Sequence, residues 1–135
     1  MRELIIDLDA IAANLKRMRQ VAPNAKVCGV VKANAYGHGM IPVAQRLVTE
    51  GVDYLGVADL EEALELRAAG IEIPVLAWLH DFAEDFKKAI AAEIDLGLST
   101  VGQLQRAIAS ASELGKVARV HIKVDTGLGR NGVTL

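Results

Sequence analysis

Cysteine is nearly missing from this chain: Cys28 is the single one in 135 residues. No internal disulfide can form, and none of the three histidines falls at metal-ligand spacing, so no zinc site is spelled out. That usage suits a reducing compartment, and a cytoplasmic location is expected. Long apolar runs are missing too. MRELIIDLDA at the N-terminus sets acids inside its short apolar stretch, unlike a signal peptide or a membrane span, so no membrane partner is expected. Neither sign of charge is in excess: 15 Lys and Arg face 17 Asp and Glu for a net charge of -2. Recruitment by nucleic acid or an anionic surface is therefore not expected. Proline is scarce, at three residues, and no Pro- or Ser-rich stretch marks a linker. What remains is 52% hydrophobic and 24% charged, a globular composition long enough for one buried core and too short for two domains.

From Val27 onward, short β-branched runs alternate with longer segments of helical period, the pattern of parallel βαβ units and an α/β fold. The expected strands are Val27–Lys32, Tyr54–Ala58, Val75–Leu79, Ile94–Leu98 and Ala118–Val124. Most are apolar on both faces, as strands buried between helices must be. Helix ends are legible between them. Asp59 with Glu62, Asp81 with Glu84, and Thr100 with Gln103 read as capping pairs, and Gly51, Gly70 and Gly115 as terminators. The last helix is expected to carry Val101, Leu104, Ile108 and Ala111 along one face. An additional N-terminal helix, capped by Asp9, carries Ile11, Leu15 and Met18 along one stripe.

Strand starts recur every twenty-odd residues, and about eight such units in roughly 250 residues close a (β/α)8 TIM barrel. Five are present, so residues 1–135 read as a partial barrel of about five of eight parallel βα units plus an N-terminal helix. The chain stops where a further helix is expected and reads as truncated. Val30, Leu76 and Ile94 or Leu96 are then expected to face an inner side without its opposing wall.

Active sites of such barrels lie at the C-terminal ends of the strands. Alternation puts Cys28, Val30 and Lys32 on one face of the first strand. If that face is the inner one, the Lys32 amine sits at the mouth of a partly apolar pocket, where desolvation favours the neutral, nucleophilic form. A snorkelling surface lysine is the plainer alternative. On the last strand, Val120, Ile122 and Val124 alternate with Arg119, His121 and Lys123, giving either a cationic inner face or the polar side of an edge strand. The following DTGLGRNG is a turn whose arginine, Arg130, suggests an anion.

These segments resemble the alanine racemase family. VVKANAYGHG at Val30–Gly39 is similar to its pyridoxal-phosphate attachment motif, and KVDTGLGRNG at Lys123–Gly132 to its second active-site segment, in the same order. Basic amino-acid decarboxylases resemble the first motif through VKAN but lack YGHG. ADLEEALELRAAGI and PVLAWLH resemble the family as well, so the likeness covers essentially the whole chain.

The resemblance implies pyridoxal 5'-phosphate as cofactor, carried as a Schiff base on Lys32, whose amine then removes or returns the substrate α-proton. It implies that Tyr36 hydrogen-bonds the cofactor phosphate and that Trp78, expected to point inward beside Leu76 and His80, packs against the cofactor ring. Arg130 would orient the substrate carboxylate. Lys123 matches a lysine often carbamylated in the family; an unmodified structural lysine is the alternative. The implied reaction interconverts L- and D-alanine for cell-wall peptidoglycan precursors, in a homo-oligomer. Inversion needs a second base on the opposite face, which the family takes from a C-terminal β-domain that this chain lacks. The chain is thus expected to be an N-terminal portion, inactive alone. Two other readings stand beside it: a non-catalytic pyridoxal-phosphate-binding barrel protein, and an inert folding or assembly fragment.

Overall fold

The computed structural model describes residues 1–134. A helix, α1 (Leu8–Val21), precedes an alternating series: β1 (Cys28–Val30), α2 (Lys32–Tyr36), α3 (Met40–Thr49), β2 (Tyr54–Val57), α4 (Leu60–Ala68), β3 (Val75–Ala77), α5 (Lys87–Ala91), β4 (Asp95–Leu98), α6 (Val101–Leu114) and β5 (Val120–Ile122). The five strands pair in sequence order, each parallel to the next. All five expected strands are present, each shorter than its apolar run at one or both ends.

The two faces of the sheet are unlike. Leu55, Val57, Val75, Ala77, Leu96 and Leu98 turn toward the helices and are essentially buried. There they meet Val43, Ala44 and Leu47 of α3, Ala63 and Leu66 of α4, and Phe86 and Ile90 near α5. Burying apolar surface at about 25 cal/mol per Å² drives this packing. The other face carries Cys28, Val30, Tyr54, Gly56, Leu76, Asp95 and Gly97. Five parallel units with helices on one side form an arc of a (β/α)8 wall. Ile94 and Leu96 do not face the inner side as expected: both pack under the helices at 2% and 0% exposure. The register Leu76↔Asp95 puts Asp95 inward instead.

Helix ends follow the capping logic with two corrections. Asp59 accepts from the Glu62 N–H at 2.9 Å and Thr100 from the Gln103 N–H at 3.2 Å, as expected. Helix α1 is capped by Asp7, whose Oδ1 takes the N–H groups of Asp9 and Ala10; Asp9 sits in the first turn and pairs with Arg46, and Met18 is 54% exposed. Asp81 and Glu84 close a turn, while α5 begins only at Lys87. On α6 the buried residues are Ala107, Ser110 and Ala111. Val101 and Ile108 are exposed.

Candidate functional site

All five strands run the same way, so the segments leaving their C-terminal ends share one rim. A cleft of about 460 Å³ opens there, within the usual size of small-molecule sites. Lys32, Tyr36, Trp78, Lys123 and Arg130 all line it, with Val30, Leu76, His121 and Asn131 among their neighbours. The five residues singled out in the sequence are thus brought together from the ends of three different strands.

Lys32 leaves β1 directly after Val31, which is fully buried and donates its N–H to Gly56 O at 2.8 Å. The next four residues, Ala33 to Tyr36, all have φ between 51° and 54°, a left-handed turn made without glycine. Such backbone costs about 1–2 kcal/mol per L-residue, and strain of this kind gathers at functional sites. The turn is tied internally by Ala35 N–H to Val31 O, and by the Asn34 carboxamide oxygen accepting from Met40 N–H, both 2.8 Å. It is tied externally by Glu62, whose Oε1 accepts from Ala33 N–H at 2.6 Å while Oε2 accepts from Ala58 N–H at 2.8 Å. One consequence is that Tyr36 folds back toward the lysine: Lys32 Nζ stands 5.6 Å from the ring centroid, close enough for cation–π attraction.

Trp78 lies across the sheet because glycines leave room for it. A Cβ on Gly56 would stand 2.5 Å from Trp78 Cζ3, and one on Gly97 would stand 2.8 Å from Trp78 Cβ. His80 does not share this inward direction. Its ring packs edge-on against Phe86, centroids 5.0 Å apart, and burial pushes its pKa below the ordinary histidine value.

Beyond β5 the chain doubles back. Asp125 N–H donates to Val133 O and Val133 N–H to Lys123 O, each 2.9 Å. Gly132 sits at the closure with φ 120°, where a Cβ would come within 2.8 Å of Asp125 N. Asp125 organises the arc that holds Arg130, its Oδ1 accepting from Gly127 and Gly129 N–H at 3.0 Å. Those two bonds hold its carboxyl below the ordinary value. Lys123 Nζ donates to Asn131 O at 2.7 Å.

The cationic inner face of β5 has a partner that the sequence reading overlooked. Asp95, 1% exposed, accepts from Arg119 Nε at 2.8 Å and Nη2 at 2.7 Å and from Tyr54 Oη at 3.3 Å, and meets His121 Nε2 at 3.1 Å. A lone acid in the apolar run IDLGL, with Arg119 and His121 alternating on the following strand, was the available signal. Glu62 was read as a cap alone, because no local pattern reveals a bond reaching 29 residues back. Asn131 gave no signal; its buried Oδ1 has no hydrogen-bond partner among the described residues.

The model of the alanine racemase N-terminal domain matches residues 6–135. The chain belongs to the alanine racemase family. The alanine racemase of Mycolicibacterium smegmatis is 50% identical over 131 residues, covering 97% of this chain and 34% of its own length. A crystal structure of alanine racemase from the D-cycloserine producer Streptomyces lavendulae superposes with TM-score 0.92 at 45% identity, covering 96% of this chain and 34% of that one. Alanine racemase from Clostridium difficile gives 0.90 at 38% identity, with 96% and 34% covered. The chain therefore spans about a third of the length of the alanine racemases it matches.

Proposed function

We propose that this chain is the cofactor-holding part of an alanine racemase. In the longer protein it would hold pyridoxal 5'-phosphate on Lys32 and help interconvert L- and D-alanine, supplying D-alanine for peptidoglycan precursors. The observation that carries this reading is the convergence of Lys32, Tyr36, Trp78, Lys123 and Arg130 on one cleft in a chain of this family.

The donor set fits the cofactor. An aldehyde calls for a primary amine, which Lys32 offers at the rim. Tyr36 supplies a phenolic donor suited to a phosphate oxygen. A flat ring calls for a flat apolar wall, and Trp78 is seated on two glycines. Asn131 Oδ1 is a buried acceptor without a partner among the described residues. When bound, the cofactor supplies an electron sink for the pair left on the substrate Cα.

The rest of the chemistry is assigned to this chain's own groups. The Lys32 amine takes or returns the α-proton on its own face. The planar guanidinium of Arg130 holds the substrate carboxylate through two parallel donors. Carbamylation of Lys123 would turn a cation beside Arg130 into an anion that accepts from it; unmodified, Lys123 keeps its bond to Asn131 O. The opposite base has no candidate among the tyrosines here. Tyr54 Oη is engaged with Asp95, and Tyr36 stands on the lysine side. That base is assigned to the remainder of the longer protein, in a cytoplasmic homo-oligomer.

The test is borohydride reduction with pyridoxal phosphate followed by peptide mass mapping. Label on Lys32, lost in Lys32→Ala, is expected; label on another lysine overturns the assignment. In the full-length protein, chiral chromatography should show alanine inversion, and Arg130→Ala should raise KM for alanine more than it weakens cofactor retention.

A further inference from the structure

We propose that Glu62 is a positioning residue for Lys32, gripping the first amide of the left-handed turn and so aiming the lysine side chain into the cleft. The inference rests on Lys32 being the cofactor lysine. Four consecutive L-residues in the left-handed region are stable only when their surroundings over-determine them. Among the described residues, Glu62 is the partner that Lys32–Tyr36 find outside the segment from Val31 to Met40. Its two oxygens bridge two βα units: Oε1 takes Ala33 N–H after β1, and Oε2 takes Ala58 N–H after β2.

The choice of amide matters. Ala33 N–H lies in the rigid peptide plane that begins at the Lys32 carbonyl carbon, and Val31 N–H is held by Gly56 O on the other side, so the two anchors together confine φ and ψ of Lys32 and with them the direction of its Cα–Cβ bond. A carboxylate suits the task because both oxygens accept, and charge-assisted bonds are the stronger kind. Helix α4 fixes the backbone of Glu62, and the Asp59 cap fixes the start of α4. The cleft lysine is therefore oriented from the neighbouring unit rather than from its own loop.

The full-length protein tests this with Glu62→Gln and Glu62→Asp. The glutamine keeps the shape but must turn an NH2 toward one of the two N–H groups; the aspartate keeps the charge but is too short to bridge both. Two readouts are taken: amide hydrogen exchange at Ala33, and the rate of borohydride-trapped attachment of pyridoxal phosphate to Lys32, with Lys16 and Lys116 as internal references. In both variants Ala33 exchange should quicken and Lys32 attachment should slow, each by about tenfold, the equivalent of one lost hydrogen bond to a charged group, with the reference lysines unchanged. Faster Ala33 exchange with unaltered Lys32 attachment would reduce Glu62 to a structural tie and overturn the proposal, as would no change in either. If wild-type Lys32 takes no pyridoxal phosphate, the functional reading falls. Reductive methylation of Lys32 by formaldehyde then decides the positioning claim by the same comparison.

Discussion

Trp78 and Gly56 are matched in shape: the indole occupies the space that any side chain at 56 would need, with Cζ3 and Cη2 at 2.5 Å and 2.8 Å from the position of a Cβ there. The flat wall of the cleft thus depends on a residue one strand away.

Gly56→Ala should push the indole off the sheet. Overpacking of this kind costs about 1–3 kcal/mol. Trp78 is the sole tryptophan, so its fluorescence reports the shift without interference. An unchanged emission spectrum and unchanged stability would show that the ring adapts in place.

Asp95→Asn should loosen the β2–β4–β5 inner face by about 1–3 kcal/mol, the cost of weakening a buried hydrogen-bonded acceptor. It should also change an alkaline titration. Burial pushes the Tyr54 phenol above its ordinary 10.0, and the charge and hydrogen bond of Asp95 push it further. The neutral phenol is therefore the form the fold favours: its contribution is complete below pH 10 and is lost as pH rises through the raised value. Ultraviolet titration should show one late-ionising tyrosine in wild type and an earlier one in Asp95→Asn.

The loop that carries Arg130 should come apart in acid. Bonds from Gly127 and Gly129 N–H hold the Asp125 carboxyl below the ordinary 3.8. The stabilisation is present above that value and is lost as pH falls through the lowered one. Amide shifts of Gly127 and Gly129 should titrate together in that window by NMR, and Asp125→Asn should leave them flat.

Residues 1–135 expressed alone should self-associate. Among the described residues β1 and β5 each have one neighbour in the sheet, and Val30, Ile122, Val117 and Ile108 are exposed at 38%, 68%, 91% and 59%. Open parallel edges beside apolar surface invite pairing between copies. Light scattering should find oligomers and chiral chromatography no enzyme-like racemisation; a stable monomer with full turnover would overturn the account of the open inner face and of the second base.

The alternation of β-branched runs with capped helical segments was enough to specify five parallel βα units, because strand burial and capping are local requirements written in local residues. The rim location of Lys32, Tyr36, Trp78, Lys123 and Arg130 was legible for the same reason: parallel strands bring all their C-terminal ends to one side. Which way Ile94, Asp95 and Leu96 face hung on the single acid, since the rest of the run is apolar on both sides and carries no alternation to read. Only the register against Leu76 and the pull of Arg119, Tyr54 and His121 turned Asp95 inward. Nor could any local pattern announce that Ala33 to Tyr36 wind left-handed, against the preference of Ala33, Ala35 and Tyr36. That conformation is held by a local bond from Asn34 to the start of α3 and by a carboxylate on α4, the latter a contact 29 residues along the chain that exists only once the units have packed.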